Sequence, residues 1–286
     1  MPELPDVEGF RDVLDSCGTG RRVEKVEVAD AGVLRGVSAA RLRRALEGRR
    51  LAAPERRGKY LILRTDGDAA VLLHFGMTGR LLCCSPGEPA HRYDRVRFGL
   101  TGGRDLRYQD QRKLQGLRLA DDEAAVERAL AGQGPDALSL DREPFLDLLA
   151  GRRARIKTVL MDQSVLAGLG NLLADEILWR ARVHPARPAD RLSAEEGRHL
   201  YGAMRQVLRL SVRAGRVPGR PSWLTGHREG RERTCPRCST SLGSIRVSGR
   251  TTVFCPHCQP RQVGPTARRP RRAGGDPPGA SHRRNG

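Results

Sequence analysis

Four cysteines near the end of this 286-residue chain have the spacing of a metal site. Cys235-Pro-Arg-Cys238 and Cys255-Pro-His-Cys258 are two C-x2-C pairs with sixteen residues between them. Such pairs supply four thiolates for tetrahedral zinc, and a closed four-sulfur shell is structural, not catalytic. One structural Zn2+ is therefore expected. The stretch from Val247 to Phe254 reads as a hairpin arm with Ser248-Gly249 at its turn. Cys17, Cys83 and Cys84 lack such partners and are expected as buried, small apolar residues.

A second constellation opens the chain. Removing Met1 would leave Pro2 as a secondary amine, with the Glu3 carboxyl beside it. An α-amine has a reference pKa of about 7.7–8.0 and is partly neutral at pH 7. The positive end of a following helix lowers it further. Attack of such an amine on a sugar C1′ gives an iminium, a permanent cation and a good electron sink. A neighbouring carboxylic acid can protonate the sugar ring oxygen or the leaving base.

These groups need a scaffold, and hydrophobic periodicity outlines one. Leu4, Val7, Phe10, Val13, Leu14 and Cys17 recur at helical spacing, with Pro5 suited to the first turn. Strand-like segments follow at 23–28, 60–63, 71–75, 96–100 and 106–108, separated by turn signals such as Asp66-Gly67. From about 121 the pattern turns helical, at 122–131, 141–150, 155–162 and 171–183. Ser193-Ala-Glu-Glu196 is a capping box that opens a helix to about Arg213. The expected fold is α+β and multidomain. It comprises an N-terminal helix plus antiparallel β-sandwich over 2–120, a helical module over 121–215, a zinc-ribbon hairpin over 232–259 and a disordered basic tail over 260–286.

The side chains carry a net charge of +19. Seven arginines and one acid give the segment from Gln259 onward six of those charges, leaving thirteen for the body. Such an excess repels itself and favours a polyanionic partner, most often nucleic acid. No apolar run approaches the roughly 18 residues of a membrane span. Seven unevenly spaced cysteines argue against a secreted disulfide framework and for a reducing compartment.

The opening MPELPDVEGF resembles the N-terminal signature of formamidopyrimidine-DNA glycosylases and the related endonuclease VIII-like enzymes. The likeness continues in order through GKYL (58–61), LLHFGMTGRL (72–81), YQDQRKLQGL (108–117), DQSVLAGLGNLLADEILWRARVHP (162–185) and VSGRTTVFCPHCQ (247–259). It implies a base-excision-repair glycosylase and abasic-site lyase acting on damaged duplex DNA, as a monomer, in the cytoplasm and about the nucleoid. By the same resemblance Pro2 is the nucleophile and Glu3 the general acid. Lys59, in a strand, contacts phosphate and assists β-elimination. Arg250 at the zinc hairpin tip grips phosphates and serves δ-elimination.

The helical module would be a helix–two-turn–helix element. Gly168-Leu-Gly170-Asn171 would let backbone N–H groups approach a phosphate at a helix N-terminus, with Asn171 as a contact. Arg152 and Lys157, on the preceding helix, are further DNA-binding candidates. His74 and Met77 belong to a loop that would present a wedge, with Arg112 and Leu114, to fill the gap left by an everted base. Leu114 stands where the family carries an aromatic wedge, which leaves the opposite-base preference open. The interval from Arg216 to Gly230 is shorter than the family's base-covering loop. A loop so shortened weakens 8-oxoguanine as the preferred substrate and leaves formamidopyrimidines, oxidised pyrimidines or abasic sites open. A non-catalytic zinc-hairpin protein binding abasic or damaged DNA is the alternative, and retention of Met1 would favour it.

Overall fold

The computed structural model describes residues 1–85, 87–229 and 233–261. The expected disordered tail lies, from 262 onward, outside the described residues.

Helix α1 (Leu4–Gly18) opens the fold, with Pro5 in its first turn and the Asp6 carboxylate accepting the Glu3 N–H at 2.9 Å. Eight strands follow: β1 (Val23–Val28), β2 (Glu55–Arg57), β3 (Tyr60–Arg64), β4 (Ala70–His74), β5 (Arg80–Cys84), β6 (Asp94–Leu100), β7 (Arg104–Gln109) and β8 (Leu117–Ala120). Helix α2 (Ala39–Leu46) lies between β1 and β2. The strands form two four-stranded antiparallel sheets, ordered β1-β6-β7-β5 and β2-β3-β4-β8. Strand alternation explains the faces: on β6, Val96, Phe98 and Leu100 are buried while the residues between them are half-exposed.

Helices α3 (Glu123–Leu130), α4 (Arg142–Leu149), α5 (Ile156–Met161), α6 (Asn171–Arg180) and α7 (Ala194–Arg213) build the second half. Ser193 caps α7 by the expected reciprocal box with Glu196. Helix α6 stops at Arg180, short of the expected 183, and Arg182 takes a left-handed φ of 58°. Strands β9 (Gly243–Val247) and β10 (Arg250–Phe254) pair as a hairpin. Ser248 and Gly249, at φ 48° and 72°, make its two-residue turn, the geometry that matches strand twist.

Helix α1 joins the two halves. Val7 and Leu14 enter the sandwich core with Val26, Phe98 and Tyr108. Leu4 instead enters the helical core with Phe145, Ile156, Leu173 and Leu208. Trp223 is buried in that same core. The start of α1 is thereby held at the junction where the chain's first residues meet α6.

The cysteine expectation is corrected in part. Cys17 and Cys83 are joined by a disulfide that ties the end of α1 to β5, and Cys84 alone of the three is a free buried thiol. Sequence spacing could not show the pairing, because 66 residues separate the partners.

Candidate active site and zinc module

Glu3 is 1% exposed, and its carboxylate sits on the first turn of α6. Leu172 N–H donates to Oε1 at 2.8 Å, while Gly170 and Leu173 N–H donate to Oε2 at 3.0 and 3.1 Å. These are donors that a helix N-terminus leaves unsatisfied, and they favour an anion. The expectation of a phosphate cradle at Gly168 to Gly170 is corrected here. The glycines make room for α1 instead. A Cβ on Gly170 would lie 2.3 Å from Glu3 Cδ, and one on Gly168 2.5 Å from Leu4 Cδ1. Leu4 N–H donates to Gly168 O at 3.1 Å. Burial pushes the Glu3 carboxyl above its ordinary value, against the opposing pull of Lys59 and the α6 amides.

Lys59 lies in the β2–β3 turn and not in a strand, directly after Gly58 at φ 58°. Its Nζ donates to Leu169 O at 2.7 Å, beside the segment that holds Glu3. Burial lowers the Lys59 pKa, Arg250 lowers it further, and Glu3 opposes both. Glu3, Lys59 and Arg250 therefore share one electrostatic neighbourhood. Arg250 is exposed and begins β10, immediately after the hairpin turn.

The hairpin is anchored from both ends. Cys235, Cys238, Cys255 and Cys258 bring four Sγ atoms within 4.8 Å of one another. Separations of 3.5 and 3.9 Å between Sγ atoms match the edges of a tetrahedron with Zn–S near 2.3 Å. Backbone N–H groups of Arg237 and Cys258, and the Trp179 indole N–H, donate to Cys235 or Cys255 sulfur at 3.3–3.4 Å. Such donors favour thiolates, so the four residues fit one structural zinc.

Toward α6, Lys157 is fully buried. Its Nζ reaches Asn171 Oδ1 and Thr252 Oγ1 at 2.7 Å each and Asp175 Oδ1 at 2.6 Å. Asp175 also accepts Val253 N–H at 3.1 Å and pairs with Arg228. Lys157 is thus a brace between α5, α6 and β10, and the expectation that it touches DNA is corrected. Nothing in its local sequence marks this, since its partners lie 14 to 95 residues away. Asn171 also donates from Nδ2 to Thr251 O at 3.2 Å. Arg152 lies in the loop between α4 and α5, not on a helix, exposed, with Nε donating to Leu148 O at 2.7 Å.

The wedge candidates assemble separately. Arg112 Nη1 reaches Met77 Sδ at 2.8 Å, and Leu114 is 50% exposed on the same turn. Thr78 donates to Asp110 Oδ1 at 2.5 Å and accepts Arg112 N–H at 3.0 Å, which locks the two loops together. His74 faces inward. Its Nδ1 accepts Gly76 N–H at 3.1 Å and its ring meets Tyr60 edge-on. Burial and the Lys59 charge lower its pKa to about 4, so the ring is neutral at pH 7.

The four-cysteine hairpin, the helical module and a buried acid at the head of the chain define a class: DNA glycosylases built on a helix–two-turn–helix element and a zinc finger. Three family models match along the chain in order. They describe the formamidopyrimidine-DNA glycosylase N-terminal domain (residues 1–117), the H2TH domain of the same enzymes (132–219) and a zinc finger found in FPG and IleRS (234–261). A formamidopyrimidine-DNA glycosylase of Heliobacterium modesticaldum is 39% identical over 91% of this chain and all of its own. One of Symbiobacterium thermophilum is 39% identical over 96% of this chain and 93% of its own. A G226P mutant of the Lactococcus lactis enzyme in complex with Fapy-dG DNA superposes with a TM-score of 0.83 at 26% identity, covering 91% of this chain and 100% of that one. The Lactococcus lactis Fpg in complex with abasic-site DNA gives 0.82 at 27%, with the same coverage. The chain belongs to the formamidopyrimidine-DNA glycosylase family. It is a DNA glycosylase of base excision repair, and abasic-site lyase activity is typical of that family.

Proposed function

We propose that this chain removes oxidised bases from damaged duplex DNA with Pro2 as nucleophile and Glu3 as acid. The carrying observation is the Glu3 carboxyl, buried beside Pro2 with its pKa raised. The Pro2 nitrogen, freed of Met1, attacks C1′. The N-glycosidic bond breaks with its electron pair going to the base, and Glu3 delivers a proton. The Pro2 nitrogen, now bonded to C1′, gives up its own proton; the C1′–O4′ bond then opens with its electron pair going to O4′, which takes up a proton, and C1′ is left as the Pro2 iminium. That iminium acidifies C2′–H, so loss of this proton expels the 3′ phosphate by β-elimination, and loss of the C4′ proton then expels the 5′ phosphate by δ-elimination. Burial lowers the Lys59 pKa, which makes its ammonium a readier proton donor beside the scissile phosphate. Arg250 grips the flanking phosphates.

Met77, Arg112 and Leu114 fill the gap left by the everted base, and their contact supports that role. Arg152 and Asn171 contact phosphate, and His74 supports the wedge loop as a neutral ring. We assign these tasks to the sandwich (2–120), the helical module (121–215) and the zinc hairpin (232–259), with zinc held by the four cysteines as a structural ion. The Lactococcus complexes support formamidopyrimidine and abasic-site substrates. Duplex DNA as substrate supports a cytoplasmic, nucleoid-associated location. One chain supplying every group supports a monomer.

Intact mass and borohydride trapping test this reading. Loss of Met1 and an adduct on the Pro2 peptide after reduction with abasic duplex are expected. A chain lacking Met1 that forms no adduct would overturn it.

A further inference from the structure

Arg56 has no part in the chemistry above, yet it is one of the most completely bonded side chains near it. It is 5% exposed, and its guanidinium bridges three parts of the molecule. Nε donates to Glu8 Oε1 on α1 at 2.6 Å. Nη1 and Nη2 fork onto Asp136 at 2.5 and 3.0 Å, in the loop that follows α3. Nη1 also donates to Gly58 O at 2.9 Å, in the turn that carries Lys59. Asp136 closes the ring by accepting Gly58 N–H at 2.7 Å. Gly58 is thus gripped at both its carbonyl and its amide.

The loop holding Asp136 is itself docked on the segment that Lys59 touches. Ala137 N–H donates to Ala167 O at 3.0 Å, and Ala167 N–H to Pro135 O at 2.9 Å. Two residues on, Leu169 O accepts Lys59 Nζ. A Cβ on Gly58 would lie 2.9 Å from Ala167 Cβ, so the turn lies flat against this segment. Planar, bidentate ion pairing fixes direction as well as distance. Lysine cannot reproduce that fork.

We propose that Arg56 is a positioning residue for strand cleavage: with Glu8 and Asp136 it clamps the Gly58–Lys59 turn and so aims the Lys59 ammonium across the junction of the sandwich and the helical module. The inference rests on the role assigned to Lys59 above. Arg56 itself touches neither DNA nor the reacting sugar. Because Glu3 is held by the α6 amides, and Leu4 by Gly168 O, independently of the Arg56 bond to Glu8 one turn further along α1, the clamp acts on the elimination step and spares Schiff-base formation.

The test is a double-mutant cycle on a preformed abasic duplex under single-turnover conditions, with borohydride trapping run in parallel. Lys59→Ala sets the reference. Arg56→Gln, and separately Asp136→Asn, should slow strand cleavage by roughly 10²-fold, the penalty for misplacing a catalytic group by about 1 Å. Trapping at Pro2 should stay within about threefold of the unmodified enzyme, and Arg56→Lys should not restore cleavage. The Arg56→Gln/Lys59→Ala double variant should be no slower than Lys59→Ala alone. A double variant slowed by the product of the two single effects would overturn the proposal, as would trapping and cleavage falling together in both Arg56→Gln and Asp136→Asn. Unchanged cleavage in Lys59→Ala would instead remove the role of Lys59, and the inference with it.

Discussion

Glu3 and Gly170 are so closely apposed that a β-carbon on Gly170 would lie 2.3 Å from the Glu3 carboxyl carbon. Backbone, not side chain, forms that wall of the acid's pocket. Gly170→Ala should push the carboxyl off the α6 amides and lower base excision by about 10²-fold. Single-turnover excision set beside abasic-site trapping checks this. The trapping step, which needs only Pro2, should change far less.

Glu3→Gln separates the two activities. An amide cannot accept N–H donors through its nitrogen, so the α6 contacts weaken, and no acidic proton remains. Excision should fall by about 10² to 10⁴-fold, the usual worth of acid catalysis, while cleavage of preformed abasic sites persists. The raised Glu3 pKa gives the pH direction. Protonated enzyme dominates below the raised value, so the excision rate should fall as pH rises through it. Glu3→Gln should lack that alkaline limb, and a limb that survives would assign the acid elsewhere.

His74 and Arg250 should separate in their salt dependence. With a pKa of about 4, His74 carries no charge at pH 7 and releases no counterion. Plots of log K against log salt for His74→Gln should keep the parent slope. Arg250→Gln should reduce the slope magnitude by about 1. A slope change in His74→Gln would mean that the ring is cationic when DNA is bound.

Zinc should be present at one ion per chain by elemental analysis. Chelation, or Cys238→Ser, should free the base of the hairpin while Lys157 still holds its middle through Thr252. Arg250 would then lose its aim. Affinity for abasic duplex should fall tenfold or more, as expected when a charge-assisted contact of about 1.5–3 kcal/mol is lost. Strand signals in circular dichroism should remain.

Much of this architecture is legible in the chain. Alternation locates β6, where Val96, Phe98 and Leu100 enter the sandwich core, whereas β3 and β4 read as continuous apolar runs because both their faces are buried. The zinc cysteines declare themselves because their ligand pairs are local. What the chain conceals is long-range pairing. Lys157 looks like any helical lysine until Asp175 and Thr252 close around it. Cys17 and Cys83 look unpaired because the fold, not the spacing, joins them. The Gly168–Gly170 pair looks like a phosphate loop because a helix N-terminus invites any anion, and only the fold supplies Glu3 to fill it. Arg56 gave no signal, since its partners come from α1 and from a loop 80 residues away.

The Glu3 carboxyl meets its α6 donors across 167 to 170 residues of chain. Contacts so distant in sequence carry a large loop-closure cost and are expected to form late in folding. A nascent chain with only the sandwich complete would carry the Pro2 amine but no buried acid. Competence for base release therefore arrives only when the second half docks, and its recovery during refolding would serve as a clock for that docking.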